Sequence, residues 1–157
     1  MNTAYYNSPL GWLEVIANNG GVAHIHFLAE PPKEKSIASP FLNLVVQQLD
    51  DYFTGKNKIF SFPINPDGTE FQLHVWELLG NIPYGTTLPY LKVAQKMGDT
   101  KKVRAIAGAI AKNPILIAIP CHRIIGSDRS LIGYSGGLER KRGLLELEGF
   151  PKQKTLF

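Results

Sequence analysis

Asn113-Pro-Ile-Leu-Ile-Ala-Ile-Pro-Cys121-His122-Arg123 holds the only cysteine of a 157-residue chain. A helix arriving at Asn113 must stop there, because Pro114 pushes the residue before it out of the α region. Residues 115–119 then read as a buried, extended apolar run that delivers Cys121 to a turn just after Pro120. A thiol beside a histidine and an arginine has the ingredients of a low-pKa nucleophile. A lone cysteine is also a common small core hydrophobe, and the tripeptide alone leaves both readings open.

Working upstream, residues 101–112 predict a helix in which Ala105, Ala107, Gly108, Ala109 and Ala111 are almost bare of bulk. Gly98-Asp99-Thr100 is a tight turn with a good N-cap, and a helix begins at Leu88 or Pro89 and runs through Met97, with Leu91, Val93, Ala94 and Met97 apolar. A short Gly-containing turn between helices, followed by Lys101, Lys102 and Arg104, makes a helix-turn-helix candidate. An ordinary helical hairpin has the same pattern. Ahead of it, Thr69-Glu-Phe-Gln72 matches a capping box and starts a helix ending at Gly80. Downstream, Ile124-Ile125 resumes the extended run, and the segment Gly133-Tyr134-Ser135-Gly136-Gly137 is a loop whose backbone can wrap a flat ligand. Residues 138–148 predict a last helix with Leu144, Leu145 and Leu147 inward and Arg140-Lys141-Arg142 exposed.

The first 28 residues read as strands. Asn18-Asn19-Gly20-Gly21 is a hairpin turn, and Val22, His24 and His26 fall on one face of the strand after it. Two histidines so placed suggest a metal only weakly; a solvated face is the plainer reading. Pro40 opens a helix that Gly55 closes, residues 56–61 carry a short extended segment at Ile59-Phe60, and the loop Asn65-Pro66-Asp67-Gly68 marks a boundary. The predicted class is α+β, with an N-terminal lobe over 1–65 and a mainly helical C-terminal domain over 66–157.

The totals set limits. A formal charge of +4 and a pI near 9.2 are compatible with a polyanionic partner without demanding one. One cysteine excludes an intrachain disulfide and any zinc site needing two thiolates. No apolar run approaches the roughly 18 residues that span a bilayer, and the N-terminus carries no secretory pattern. The expectation is a soluble, cytoplasmic protein with no membrane partner.

Taken together, Pro120-Cys121-His122-Arg123, Asn113-Pro114 ahead of it, and Gly133-Tyr134-Ser135-Gly136-Gly137 behind it resemble the O6-alkylguanine-DNA alkyltransferase family, also called methylated-DNA–protein-cysteine methyltransferases. The Arg104-Ala-Ile-Ala-Gly-Ala block and the closing Leu-Leu-Glu-Leu-Glu148-Gly also fall at the family's places. The resemblance implies a ribonuclease-H-like N-terminal lobe and a winged-helix-like C-terminal domain. It implies a suicide DNA-repair protein that flips O6-alkylguanine out of double-stranded DNA and moves the alkyl group irreversibly onto Cys121. In that scheme Cys121, His122, Glu148 and Tyr90 are catalytic. His122 takes the thiol proton through a water, Glu148 orients His122, and Tyr90 hydrogen-bonds N3 of the base. Tyr134, Ser135, Ile124 and Gly133 form the substrate pocket, with carbonyls of Cys121 and Ile124 reading the exocyclic amine. Asn113 is a structural hinge. Lys101, Lys102, Ala105 and Ala109 contact DNA in the minor groove, and Arg104 fills the vacated stack. No cofactor and no metal are implied, and the protein acts as a monomer.

The chain departs from the family pattern in places. Ile124 replaces the commoner valine, Leu88-Pro89 precedes Tyr90 where a serine is usual, and Arg129 stands where small residues are common. Other readings are a DNA-binding module of the alkyltransferase-like type, disfavoured because that type lacks the reactive cysteine, and a thiol hydrolase, which leaves the helix-turn-helix unexplained.

Overall fold

The computed structural model describes residues 2–37 and 39–150. Its contacts divide the chain into two units, Met1–Asp67 and Gly68–Phe157. Residues 151–157 of the expected C-terminal domain lie outside the described residues.

In the first unit, alternation of side chains builds an antiparallel sheet of β1 (Asn2–Ser8), β2 (Gly11–Asn18) and β3 (Gly21–Phe27), in that order. Leu13, Val15 and Ile25 are fully buried, as the period of two requires. The turn into β3 needs Gly21, whose φ is +138° and where a Cβ would sit 2.5 Å from the Pro63 carbonyl oxygen. That carbonyl accepts from Val22 N–H at 3.0 Å, and Asn65 N–H donates to Val22 O at 2.7 Å. Val22 is therefore buried, although it was expected to share the open face of His24 and His26. A register shift at Ile16/Ala17 and the Pro63–Asn65 cover account for the difference. His24 is exposed and His26 pairs with Glu14 at 2.9 Å.

Helix α1 (Pro40–Phe53) is capped by Ser39, which accepts from Leu42 N–H, and buries Leu42, Val45, Leu49, Tyr52 and Phe53. Tyr6 Oη donates to Asp50 Oδ1 at 2.9 Å, tying helix to sheet. The extended segment expected at Ile59-Phe60 is absent. Ile59 is 78% exposed, while Phe60 packs its ring on Tyr52 with centroids 5.4 Å apart, so the chain bends to bury the aromatic alone.

In the second unit the capping box forms. Thr69 accepts from Gln72 N–H, Gln72 Oε1 accepts from Thr69 N–H, and α2 (Glu70–Gly80) follows. Trp76 is buried and its Nε1 donates to Ala109 O at 2.9 Å. The next helix starts later than expected. Leu88–Pro89 forms β4, paired in parallel with β5 (Ile124–Ile125), and α3 is Tyr90–Lys96. Pro89 is extended at the N-cap, and its pairing partners are far away in sequence, so local pattern could not reveal them.

Gly98 turns the chain at φ 85°, and Asp99 Oδ1 accepts from Lys101 N–H. The cap makes Thr100–Lys102 a tight 3-10 turn, so α4 is only Val103–Ala111. α3 and α4 form the helix-turn-helix. Ile106, Ala109 and Ile110 of α4 are buried, while Arg104, Ala105, Gly108 and Ala111 are exposed. Ala109 therefore lies on the packed face and is removed from the expected DNA-contacting set. α5 (Leu138–Leu147) closes the unit.

Candidate active site

The apolar run before Cys121 is a buried turn, correcting the expected extended segment. Leu116 and Ile119 bridge, and Ile117 takes φ 73°, a left-handed conformation that β-branched residues rarely adopt. Asn113 holds the turn from inside. Its Oδ1 accepts from Ile115 N–H at 2.9 Å and its Nδ2 donates to Ile119 O at 2.8 Å. Both bonds are buried, so Asn113 fixes the path between α4 and the cysteine. Cys121–Arg123 then forms a 3-10 turn, and Cys121, His122 and Arg123 are all buried.

Cys121 is 4% exposed, and burial pushes its thiol up to about 11, opposed by an Asn113 hydrogen bond and the charge of Lys141. Burial thus favours the neutral thiol over the low-pKa nucleophile that the tripeptide left open. His122 Nε2 lies 2.7 Å from Glu148 Oε2. Because the ionised carboxylate can only accept, Nε2 carries a proton, and Nδ1 is a lone pair when the ring is uncharged. Nδ1 is buried and makes no protein hydrogen bond among the described residues. Burial lowers the imidazole's proton affinity, against the pull of Glu148. Burial alone would raise the Glu148 carboxyl, but hydrogen bonds from His122 and Arg123 and the Arg123 charge hold it far below the usual carboxylate range.

Arg123 meets both backbone and an acid. Its Nη1 donates to Ile82 O, its Nε to Glu148 Oε1 at 2.8 Å and its Nη2 to Glu148 Oε2 at 3.0 Å. Lys141 was expected to be exposed and is fully buried. Its Nζ donates to Ile132 O at 2.9 Å and Gly133 O at 3.0 Å, and burial lowers its pKa to about 8. The pattern held a signal for it, since Lys141 stands three and four residues before Leu144 and Leu145, on the inward stripe.

Tyr90 Oη donates to Ile132 O at 3.2 Å, and a Cβ on Gly133 (φ 66°) would sit 3.3 Å from that hydroxyl. A cavity of about 630 Å³ lies beside them, lined by Tyr90, Leu91, Val103, Arg104, Ala107, Gly126, Ser127, Ile132 and Gly133. Leu91, expected to pack as part of the apolar face of α3, instead faces this cavity and is 42% exposed. Tyr134 is half-buried with its hydroxyl enclosed, Ser135 is exposed, and Ile124 is fully buried in β5. Ile124 N–H donates to Cys121 O, occupying one lone pair of that carbonyl. Lys101, Lys102 and Ala105 are exposed at the start of α4, with the Lys102 ammonium 6.0 Å from the Phe71 ring centre. Arg129, at φ 69°, lays its guanidinium 6.0 Å from the Phe150 ring centre. Among the described residues, no group of three or more His, Cys, Asp or Glu could hold a metal, and no helix is long and apolar enough to cross a membrane.

Residues 70–150 match the family described as "6-O-methylguanine DNA methyltransferase, DNA binding domain", and residues 1–66 match its "ribonuclease-like domain". A methylated-DNA–protein-cysteine methyltransferase of Haemophilus influenzae is 42% identical over 153 residues, covering 94% of this chain and 86% of its own. One from Methanosarcina barkeri is 41% identical over 152 residues, covering 92% and 96%. The crystal structure of Mycobacterium tuberculosis OGT in complex with DNA superposes with a TM-score of 0.85 at 36% identity, covering 94% of this chain and 92% of that one. The α+β architecture, with its small antiparallel sheet and helical second unit, is the fold of these relatives. The chain belongs to the 6-O-methylguanine DNA methyltransferase family.

Proposed function

We propose that this chain repairs DNA by accepting the alkyl group of O6-alkylguanine on Cys121, once per molecule. The observation that carries the reading is a buried thiol next in the chain to a histidine whose Nε2 is tied to Glu148 and whose buried Nδ1 has no hydrogen-bond partner among the described residues. His122 takes the thiol proton through one bridging water as the sulfur attacks. The S–C bond forms, the C–O6 bond breaks, and its electrons leave on the guanine. The proton lost by Cys121 ends on the restored base. A thioether has no leaving group for ordinary water or thiols, so the protein is spent.

Tyr90 turns from the Ile132 carbonyl to donate to N3, and the Ser135 amide faces O6. Lys141 holds the loop carrying Ile132 and Gly133 and sets a cation near the developing thiolate. Tyr134, Ile124 and Gly133 wall the base, and Asn113 keeps the cysteine turn in register with α4.

The base reaches Cys121 by flipping. The bare outward face of α4, with Ala105 and Gly108, lies in the minor groove, Arg104 fills the vacated stack, and Lys101 and Lys102 meet phosphates. The protein acts as a monomer on double-stranded DNA. Incubation with duplex DNA containing O6-methylguanine, followed by mass spectrometry, is expected to give one methyl group per chain, on Cys121. Cys121→Ser is expected to take none. Repeated turnover, or labelling that survives this substitution, sinks the proposal.

A further inference from the structure

The proposed proton transfer raises a problem that the buried network answers. A carboxylate 2.7 Å from an imidazole, away from water, ordinarily keeps that imidazole protonated. A histidine already carrying both protons cannot accept a third from Cys121. We infer that Arg123 is the positioning residue that keeps His122 an uncharged base, by neutralising Glu148 so that the carboxylate orients the ring without holding a proton on it. The inference deepens the proposed function and rests on it.

The geometry fits this role closely. Glu148 Oε1 accepts from Arg123 Nε at 2.8 Å and Gly85 N–H at 3.3 Å, while Oε2 accepts from Arg123 Nη2 at 3.0 Å and His122 Nε2 at 2.7 Å. The fork of the guanidinium takes one lone pair on each oxygen, leaving Oε2 a single direction for His122. Arginine cannot give up its proton, so the compensation persists at every working pH. Arg123 is itself fixed by Ile82 O and by the Tyr84 ring, 5.7 Å from its guanidinium carbon, and Tyr84 Oη donates to Leu147 O beside Glu148. The other charged or titratable groups around His122 are Lys141 on α5, whose charge also opposes a proton on the ring, and Cys121 and Tyr134, which are uncharged at neutral pH. Among the described residues Glu148 is thus the neighbour that would hold the proton, and Arg123, which grips its carboxylate directly, offsets it beside burial and Lys141.

The test is the pH dependence of single-turnover alkyl transfer in Arg123→Gln, together with the ¹⁵N resonances of His122 without DNA, assigned by comparison with His122→Gln. The wild type is expected to show a neutral ring protonated on Nε2 at pH 7. In Arg123→Gln the ring is expected to be imidazolium at that pH. The acid limb of the rate profile then moves up by about two units, from below neutral to above it, giving roughly a tenfold loss at neutral pH that recovers on raising the pH. Arg123→Gln combined with Glu148→Gln removes both charges and is expected to return the limb toward the wild-type position. A folded Arg123→Gln chain with a neutral ring and an unmoved limb overturns the inference, whatever its rate, as does a double variant that leaves the limb displaced. Should Arg123→Gln not fold, Arg123→Lys carries the same measurements. A smaller shift in the same direction supports the inference, and an unmoved limb overturns it. The resonance arm needs no alkyl transfer, so failure of the proposed function is seen separately from failure of this one.

Discussion

Replacing Asn113 by alanine tests whether this side chain fixes the cysteine turn. Two buried hydrogen bonds to the backbone are lost, beside the one to the Cys121 thiol. Ile119 O keeps a second donor, Cys121 N–H at 2.8 Å, so that loss is an ordinary hydrogen bond of about 1 kcal/mol. Ile115 N–H donates to Asn113 Oδ1, and orphaning a buried amide costs about 1–3 kcal/mol. The sum, about 3 kcal/mol, corresponds to a fall in midpoint of roughly 15 °C for a unit of this size. Urea unfolding followed by the fluorescence of Trp76, which is buried against α4, reads the transition of the second unit; Trp12→Phe removes the signal of the first. Asn113→Asp keeps the acceptor for Ile115 and loses the donor to Ile119, so it is expected to lose the smaller part unless its carboxylate is also left buried and charged. A loss under about 1 kcal/mol in Asn113→Ala would show that the turn, including its left-handed Ile117, holds itself, and would refute the reasoning.

Lys141→Met removes a buried ammonium whose pKa, down from 10.5 to about 8, marks a burial penalty on the order of 3 kcal/mol. It also removes two charge-assisted hydrogen bonds of about 1.5–3 kcal/mol each. Stability measured in urea is expected to change by no more than about 2 kcal/mol, while the alkyl-transfer rate falls at least about tenfold. On acidification, the unfolded chain protonates His122 near 6.5 before the native protein does, so stability falls as pH drops below that value. Glu148, depressed in the native state, adds a second loss below its ordinary 4.5. Each group contributes a slope of at most about 1.4 kcal/mol per pH unit, and Glu148→Gln is expected to abolish the lower one in urea midpoints taken across pH. A Cβ at Gly108 meets nothing within 4 Å. Gly108→Ala is therefore expected to stabilise by about 0.5–1 kcal/mol, whereas Gly108→Leu is expected to fold as well yet bind duplex DNA at least about tenfold more weakly in a titration.

Much of this architecture was legible in the residues because its causes are local. The Thr69 cap, the Asn-Gly hairpin and the proline stop after Asn113 act within a few residues, and the structure contains each of them. The failures have non-local causes. Five consecutive apolar residues before Pro120 look like a strand, yet the Asn113 side chain folds them into a turn. Leu88-Pro89 looks like a helix start, and only pairing with Ile124-Ile125 makes it a strand. Lys141 hides in an Arg-Lys-Arg run that reads as a wet surface, and its acceptors lie on a loop with no pattern of its own. The candidate site divides the same way. Cys121, His122 and Glu148 could be named from sequence, whereas the protonated state of the thiol and the grip of Arg123 on Glu148 depend on burial.

The short parallel ladder between Leu88–Pro89 and Ile124–Ile125 has an architectural consequence. Tyr90 follows one rung directly and Cys121 precedes the other by three residues, so their separation is set by this brace. The long excursion through both helices of the helix-turn-helix does not have to set it. On the proposed function, the elements that grip nucleic acid and those that perform chemistry thereby meet at one fixed joint. Sequence drift in residues 91–112 can retune grip, salt response or lesion search while the reacting groups keep their spacing. An engineer lengthening the turn at Met97–Asp99 should find the chemistry unchanged and only the binding altered.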